Sequence, residues 1–150
     1  MEKRKVDYET IDLLSRALAL RFKLNSRTFS HVIGISRGGL LPAKIISYIL
    51  DAQFLSYGVS SYEGKTQTDR MDISQQIDFD KFPKESRLLI VDDKCDTGKT
   101  IDHIKEAIGD RFDYVRYATV FAEKRAVKKV DHYGVLLNDH TWITFPWETD

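Results

Sequence analysis

A continuous run of four branched apolar residues, 88–91, lies just past the middle of the chain. Runs of this length without polar alternation are typical of a strand buried on both faces of a parallel sheet. The polar residues 92–100 follow it, and apolar residues then return at helical spacing between Ile101 and Ile108. This pattern predicts a strand that ends at Asp92, then a turn, and then a helix whose N-terminus lies in that turn.

The first part of the chain has a similar order of elements. Apolar residues share one helical face across residues 8–22, and Thr10 is placed to be the N-cap of this helix. Residues 31–35 predict a short central strand, and residues 40–50 predict a helix that is apolar on most sides and therefore well buried. Pro42 falls in the first turn of that helix, where its missing N–H is harmless.

Further strands are predicted over residues 53–62, 114–121 and 133–137. Residues 63–82 are polar and poorly periodic, and a connection of this length inside a compact domain is usually a lid or a disordered segment. Strands that alternate with helices predict an α/β fold, with a mostly parallel central sheet flanked by helices.

The composition is that of one globular domain. The 150 residues are enough to bury roughly 70% of the unfolded surface. The 23 Lys and Arg residues balance 23 Asp and Glu residues, so net charge favours neither nucleic acid nor an anionic membrane as a partner. The longest apolar stretch, 40–50, is interrupted by Lys44 and is too short to span a bilayer. We therefore expect neither a nucleic-acid-binding protein nor a membrane protein.

The N-terminus and the cysteine content predict a cytoplasmic protein. Residues 1–5 are mostly charged and do not lead into the apolar segment of a signal peptide. The single cysteine, Cys95, excludes an internal disulfide and suits a reducing compartment, and we expect it to pack rather than to react. The four histidines share no metal-ligand spacing, so no zinc site is expected.

The turn after the strand at 88–91 combines carboxylates with hydroxyl groups. The unpaired N–H groups of a helix start, the helix dipole and the hydroxyls of Thr97 and Thr100 together predict a phosphate site. Asp92 and Asp93 can accept hydrogen bonds from a diol or hold Mg²⁺, which prefers oxygen ligands. This turn suits a ligand that carries both a phosphate and sugar hydroxyls.

Other interpretations of this turn are also available from the residues. The Gly98-Lys99-Thr100 triplet occurs in P-loops, but Asp93 stands where that motif requires glycine, so we reject it. A paired aspartate after an apolar strand also occurs in receiver domains, but there it lies near the start of the chain. An ordinary strand–turn–helix with acidic capping residues stays open at this point.

A second anion site is predicted where residues 36–39, Ser-Arg-Gly-Gly, separate a strand from a helix. The guanidinium of Arg37 is suited to bidentate contact with a phosphate. On their own, Gly38 and Gly39 fit a simple tight turn equally well.

Residues 91–93 and 96–100, Val-Asp-Asp and Asp-Thr-Gly-Lys-Thr, resemble the phosphoribosyl-pyrophosphate (PRPP) signature of the type I phosphoribosyltransferases. That signature places two acids after hydrophobic residues, then two variable residues, Asp-Thr-Gly and a hydroxyl residue. Within the family, the chain from about residue 32 to residue 148 is most similar to the bacterial xanthine-guanine enzymes. The segments that carry this likeness are Ser36-Arg37-Gly38-Gly39-Leu40, Ser60-Ser61-Tyr62, Phe121-Ala122, Thr141-Trp142-Ile143 and Pro146-Trp147.

The resemblance implies transfer of a 5-phosphoribosyl group from PRPP to N9 of a 6-oxopurine, with Mg²⁺ as cofactor and pyrophosphate as the second product. It also implies a small hood built from the chain ends, a flexible flap within residues 63–82 that carries Lys65 and Arg70, and a cis peptide between Ser36 and Arg37. The family further suggests a homodimer or a homotetramer.

The resemblance also implies roles for particular residues. Asp92 and Asp93 would bind the ribose hydroxyls, directly or through Mg²⁺ held by Asp93, and Asp96 would carry a proton at purine N7. The other implied contacts are the 5′-phosphate for Thr97, Gly98, Lys99 and Thr100, pyrophosphate for Ser36, Arg37, Gly38, Gly39 and Arg70, and the purine for Lys124, Trp142 and Ile143.

One position departs from the family pattern. The family has a lysine two residues after Phe121, where it donates to the purine 6-oxo group, and this chain has Glu123 there. Lys124 comes next, but successive strand residues point to opposite faces, so Lys124 needs a bulge or a local shift to replace that lysine. Otherwise the basic run 124–129 is expected to be a solvated face.

Two alternatives to a 6-oxopurine enzyme stay open, and the departure at Glu123 permits the first. The first is a PRPP-dependent transferase for another base. The second is a PRPP-sensing regulator without catalysis, although a neutral domain of this size offers little room for a nucleic-acid-binding surface.

Overall fold

The computed structural model describes residues 1–59 and 77–148. Its strands and helices, in chain order, are β1 (Glu2–Lys5), α1 (Tyr8–Leu24), β2 (His31–Ser36), α2 (Leu40–Leu50), β3 (Gln53–Gly58), β4 (Arg87–Cys95), α3 (Lys99–Ile108), β5 (Tyr114–Glu123), β6 (His132–Leu137) and β7 (Thr141–Thr144). Two short 3₁₀ helices, Phe79–Lys81 and Lys124–Lys129, complete the described secondary structure.

The main sheet has five strands in the order β3-β2-β4-β5-β6, and all of their pairings are parallel. A second sheet pairs β1 with β7, also in parallel. The predicted α/β fold with a mostly parallel sheet is therefore confirmed. Strand β4 is central and pairs with β2 and β5, so the residues that follow β2 and β4 lie side by side at one edge of the sheet.

Helices cover both faces of the main sheet. On one face, Ile101, Ile104 and Ile108 of α3 pack against Ile33 of β2 and Ile90 of β4. The neighbouring residues along each strand point the other way, as the two-residue period of a strand requires. The apolar run 88–91 is buried because its two sides meet different helices.

The opposite face is covered by α1 and α2. Leu18 and Phe22 of α1 and Ile46 of α2 pack against Val32 of β2 and Leu89 of β4. All five side chains are almost entirely excluded from solvent.

The two chain ends meet in the sheet formed by β1 and β7. Strand β1 is missing from the sequence prediction because its four residues, Glu2–Lys5, are polar and all exposed. Strand β1 is held in place by backbone pairing with β7. This pairing extends one residue beyond the strand, where Val6 N–H donates to Thr144 C=O at 3.1 Å. Val6 also packs in a small core with Ile143 and Phe145. The two chain ends therefore pair with each other, as the implied hood requires.

Several predicted boundaries are wrong in detail. Helix α1 is capped by Asp7, whose carboxylate accepts from Thr10 N–H at 2.8 Å, so Thr10 is inside the helix rather than its cap. Strand β4 does not end at Asp92 but continues to Cys95, because pairing with β5 extends through Lys94 and Cys95.

Helix α2 has the predicted bounds and Pro42 in its first turn, but it is buried on one face only. Tyr48, for example, is 85% exposed.

Phe79 lies in the polar connection 63–82 and yet packs in the main core. Residues 60–76, which include most of that connection, fall outside the described residues. Within residues 1–59 and 77–148, no helix combines the length and the apolar character that crossing a bilayer requires.

Candidate active site

The glycine turn after β2 lies directly against the carboxylates of β4. A Cβ atom on Gly38 would overlap the side-chain carboxylate of Asp93, and one on Gly39 would overlap the carbonyl oxygen of Val91. Gly39 N–H donates back to Ile35 C=O at 2.8 Å, which closes the turn. The predicted anion site at the glycine turn and the paired acids are therefore adjacent, because they lie at the same end of neighbouring parallel strands.

The peptide bond between Ser36 and Arg37 is cis, as the resemblance implied. The turn leads directly into α2, and Leu40 N–H donates to Arg37 C=O at 3.1 Å. Arg37 is exposed, so its guanidinium lies at the solvent side of the turn.

Asp92 and Asp93 form a closely packed pair of carboxylates. Asp92 is 8% exposed, and its carboxylate accepts from Asp93 N–H at 2.8 Å. Burial raises the pKa of Asp92 well above its ordinary value, and the negative charge of Asp93 raises it further. Burial also raises the pKa of Asp93. Two acids in this arrangement favour a ligand that brings positive charge or hydrogen-bond donors.

This donor set fits Mg²⁺. Mg²⁺ is usually bound by one or two carboxylates, with substrate phosphates and waters completing its octahedron, rather than by a protein cage. In the part of the chain that the structure describes, no group of three or more His, Cys, Asp or Glu residues could hold a metal ion. The adjacent carboxylates of Asp92 and Asp93 match the partial kind of site, with Asp93 the less buried of the two.

The start of α3 has the features of an anion site. Gly98 takes a positive φ of 82°, and the first helical hydrogen bond runs from Asp102 N–H to Gly98 C=O at 2.9 Å. The N–H groups of residues 100 and 101 precede that bond and lie at the positive end of the helix dipole. Thr97 N–H donates to Asp96 Oδ1 at 2.7 Å and fixes the turn before the helix.

Two basic residues of the 3₁₀ helix Lys124–Lys129 contact this turn. The Lys129 side chain passes over Gly98, where an added Cβ would overlap it, and its ammonium pairs with Asp102 at 2.5 Å. Arg125 Nε donates to Asp96 C=O at 3.0 Å. The prediction of a wholly solvated basic run is therefore wrong for these two side chains.

Glu123, at the position that departs from the family pattern, is buried in a cluster of charges. Its carboxylate accepts from His140 N–H at 2.7 Å and pairs with Lys94 Nζ at 2.9 Å and Arg125 Nε at 3.0 Å. Lys94 also donates to Thr141 C=O at 2.6 Å. The sequence alone does not single out Lys94, because this lysine occupies a variable position of the signature.

Residues expected to contact a purine lie around this cluster. Trp142, directly after Thr141, is 54% exposed, which leaves its ring available for stacking, while the Ile143 side chain is 3% exposed and belongs to the core. Lys124 begins the 3₁₀ helix beyond the end of β5 and is exposed.

The structure thus joins most of the predicted site residues into two neighbouring groups. Residues 36–39 meet Asp92 and Asp93, and residues 96–100 meet Arg125 and Lys129. Lys65 and Arg70, which were expected in a flap, and the segment Ser60-Ser61-Tyr62 lie outside the described residues.

Comparison with known proteins identifies the family of this chain. A model of the phosphoribosyl transferase domain family matches residues 8–150. A xanthine-guanine phosphoribosyltransferase of Idiomarina loihiensis is 33% identical over 144 residues, which are 95% of this chain and 85% of that protein. One of Desulfotalea psychrophila is 33% identical over 146 residues, which are 97% of this chain and 86% of that protein.

A solved structure has a similar fold over the whole chain. The crystal structure of a purine phosphoribosyltransferase from Pyrococcus horikoshii superposes with a TM-score of 0.80 at 28% identity, covering 100% of this chain and 97% of that one. The family match, the two relatives and the shared fold agree, and the chain belongs to the phosphoribosyl transferase domain family.

Proposed function

We propose that this protein is a purine-salvage enzyme that transfers the 5-phosphoribosyl group of PRPP to N9 of a 6-oxopurine and releases pyrophosphate. The observation that carries the proposal is the contact between the Gly38-Gly39 turn and the Asp92-Asp93 pair. It brings a candidate site for the leaving pyrophosphate next to a candidate site for the ribose. The relatives' names, xanthine-guanine and purine phosphoribosyltransferase, support a purine as the acceptor.

The sugar-phosphate end of PRPP would lie at the start of α3. Backbone N–H groups of Gly98, Lys99 and Thr100, with the hydroxyls of Thr97 and Thr100, would bind the 5′-phosphate. Asp92 and Asp93 would accept hydrogen bonds from the ribose 2′- and 3′-hydroxyls. Those donors would offset the like charge of the two acids.

The pyrophosphate end would lie at the turn after β2. The N–H groups of Gly38 and Gly39 can approach an anion closely because neither residue has a side chain, and Ser36 and the Arg37 guanidinium add donors. Arg70 of the flap remains a predicted partner of the pyrophosphate. Charge builds on pyrophosphate as its bond to ribose C1 breaks, so these groups would stabilise the transition state more than the bound substrate.

Mg²⁺ is the cofactor that this site is expected to use. Bound through Asp93 and the oxygens of PRPP, it would supply positive charge to the leaving group. Asp92 would remain oriented by its contact with Asp93 N–H.

The purine end would lie between Asp96 and β7. Trp142 would stack on the base, and the backbone of Ile143 would contact its edge. The exposed carboxylate of Asp96 would accept the proton that leaves N7 as N9 bonds to ribose C1 and the bond from C1 to pyrophosphate breaks. Arg125 supports this role because it fixes the Asp96 backbone.

A nucleotide-forming assay tests the function. Purified protein with PRPP and Mg²⁺ is given radiolabelled xanthine, guanine, hypoxanthine, adenine or uracil, one base at a time. We expect nucleotide from at least one of the three 6-oxopurines and little from adenine or uracil. Product from adenine or uracil alone would favour a transferase for another base, and tight PRPP binding without product would favour a sensor.

Two further expectations belong to this proposal. The enzyme would act in the cytoplasm, where PRPP and purine bases are used, and it would assemble as a homodimer or a homotetramer. Sedimentation analysis of the purified protein tests the assembly directly.

A further inference from the structure

We propose that Lys94, on β4, is the residue that recognises the 6-oxo group of the purine, and that Glu123 holds it in place. This inference rests on the function proposed above and deepens it. It commits the base site to an acceptor with an exocyclic oxygen rather than an amino group at this position.

Glu123 is not available to contact a base itself. Its side chain is 1% exposed, and both carboxylate oxygens already have partners. Oε1 accepts from His140 N–H and pairs with Arg125 Nε, and Oε2 pairs with Lys94 Nζ. A buried carboxylate with this many donors is a fixed acceptor, so its function is to position the cations around it.

Lys94 keeps a donor that no described residue uses. An ammonium group has three N–H donors. Two are directed to Glu123 Oε2 at 2.9 Å and Thr141 C=O at 2.6 Å, and the described residues provide no third partner. The Lys94 side chain is still 15% exposed, so solvent or a ligand can reach it.

The anchors of Lys94 place its ammonium at the base end of the site. Thr141, whose carbonyl it binds, directly precedes Trp142, and Lys94 is two residues before Asp96. Glu123, its ionic partner, ends β5 next to Arg125, which binds the Asp96 backbone. The ammonium therefore joins the ends of β4 and β5 to the start of β7, which are the elements that carry the proposed purine contacts.

The hydrogen-bonding capacity of Lys94 determines which base it favours. An ammonium donates to an oxo group but has no acceptor for an amino group. Lys94 thus favours a 6-oxopurine over adenine. Lys124 has neither anchor, and it begins a 3₁₀ helix as an exposed side chain.

The test compares Lys94→Met with the double variant Lys94→Met/Glu123→Gln. The single change leaves Glu123 with one fewer cation and risks misfolding, whereas the double change removes both charges. Lys128→Met, an exposed lysine of the same 3₁₀ helix as Lys124, is the matched control. Steady-state kcat/KM for guanine and KM for PRPP are measured for each, together with Ki for unsubstituted purine as a competitor of guanine.

We expect the double variant to lose about 10- to 100-fold in kcat/KM for guanine, which corresponds to one hydrogen bond from a charged donor. The KM for PRPP and the Ki for unsubstituted purine, which lacks the oxo group, should change less than about threefold. A purely structural role of the ion pair would instead shift all three values together.

Three results would overturn the inference. The first is an unchanged kcat/KM for guanine in the folded double variant. The second is a parallel change in kcat/KM for guanine, KM for PRPP and Ki for unsubstituted purine. The third is a selective loss of kcat/KM for guanine in Lys124→Met but not in the Lys94 variants. A wild-type protein that makes no nucleotide from any 6-oxopurine refutes the proposed function and the inference with it. An active wild-type enzyme that is insensitive at Lys94 refutes the inference alone.

Discussion

Gly38 lies so close to Asp93 that a single methyl group at Gly38 would occupy the space of the Asp93 carboxylate. The contact joins the turn after β2 to the end of β4, two segments that are more than fifty residues apart in the chain. It explains why a glycine is needed here independently of φ, since Gly38 has no positive φ. The same closeness lets one substrate contact both segments.

Gly38→Ala should therefore impair activity by displacing Asp93. We expect kcat/KM for PRPP to fall at least about 10-fold, with an overpacking cost of about 1–3 kcal/mol in the free energy of unfolding. Gly109→Ala is the matched control, because Gly109 has a positive φ of 62° at the end of α3 and a substitution there costs about 1–3 kcal/mol without contacting the site. Steady-state kinetics and urea unfolding of both variants separate the two effects. Equal activity losses in both would contradict the assignment.

Asp96→Ala should lower turnover far more than it weakens PRPP binding. Removing a general acid or base typically costs about 100- to 10,000-fold in rate. The bond from Arg125 Nε to the backbone carbonyl of residue 96 remains, whereas the bond from Thr97 N–H to the Asp96 carboxylate is lost, so we expect the Kd for PRPP to rise by no more than about 10-fold. Single-turnover rates and PRPP titrations give the two numbers. Comparable losses in rate and in binding would remove Asp96 from the role of proton carrier.

Trp142→Ala should weaken binding of the purine base and leave binding of PRPP unchanged. Stacking of a base on an aromatic ring is worth about 1–3 kcal/mol, so the KM for the purine should rise about 5- to 100-fold. Trp142→Phe keeps an aromatic face and should retain most of the affinity. Because Trp142 is half-exposed, both variants should melt near the wild-type temperature. An unchanged KM for the purine in Trp142→Ala would place the base elsewhere.

His132 should make the protein less stable as the pH falls. Burial lowers the pKa of His132, and the charges of Arg27, Arg21 and Arg116 lower it further, whereas Asp131 acts in the opposite direction. The unfolded chain therefore takes up its proton first as the pH drops through about 6.5, and the free energy of unfolding decreases.

Urea unfolding of His132→Gln at pH 7.5 and pH 5.5 tests this. The variant should lose less stability than wild type between the two pH values. Some loss should remain, because burial also lowers the pKa of His31, which therefore also destabilises the fold as the pH falls. His103→Gln, at an exposed position of α3, controls for the removal of a histidine. A wild-type pH dependence in His132→Gln would show that this residue is not linked to folding.

Cys95 should be unreactive in the native protein. It is 3% exposed in the core beside α3, and burial raises the pKa of its thiol to about 11. At pH 8 on the order of one thiol in a thousand would be ionised, and the thiolate is the reactive form. Alkylation by iodoacetamide should be at least about 100-fold slower in the native than in the unfolded protein, and Cys95→Ala should keep its activity. Fast native labelling would contradict the packing role.

The sequence was most informative where burial alone determines structure. Residues 88–91 are buried between α3 on one side and α1 and α2 on the other, so a plain apolar run was enough to predict the central strand. The glycine turn and the acidic turn were also recognisable locally, and their adjacency followed once both strands were placed in one parallel sheet.

What the sequence could not predict depends on pairing over long distances. The end of β4 was misplaced because its ladder with β5 continues past two carboxylates, which look like a strand end in isolation. Strand β1 has no apolar pattern and is ordered by β7, at the other end of the chain. Lys94 stands in a variable position, and its environment is known only when Glu123 and Thr141 are placed beside it.

The most direct test of the account is the stoichiometry of the reaction. Wild-type protein is incubated with PRPP, Mg²⁺ and labelled guanine, xanthine or hypoxanthine, and labelled nucleotide and free pyrophosphate are measured in the same samples. The account predicts that both products appear together in a 1:1 ratio with at least one of these bases. Binding of PRPP without either product, with all three bases, would contradict it.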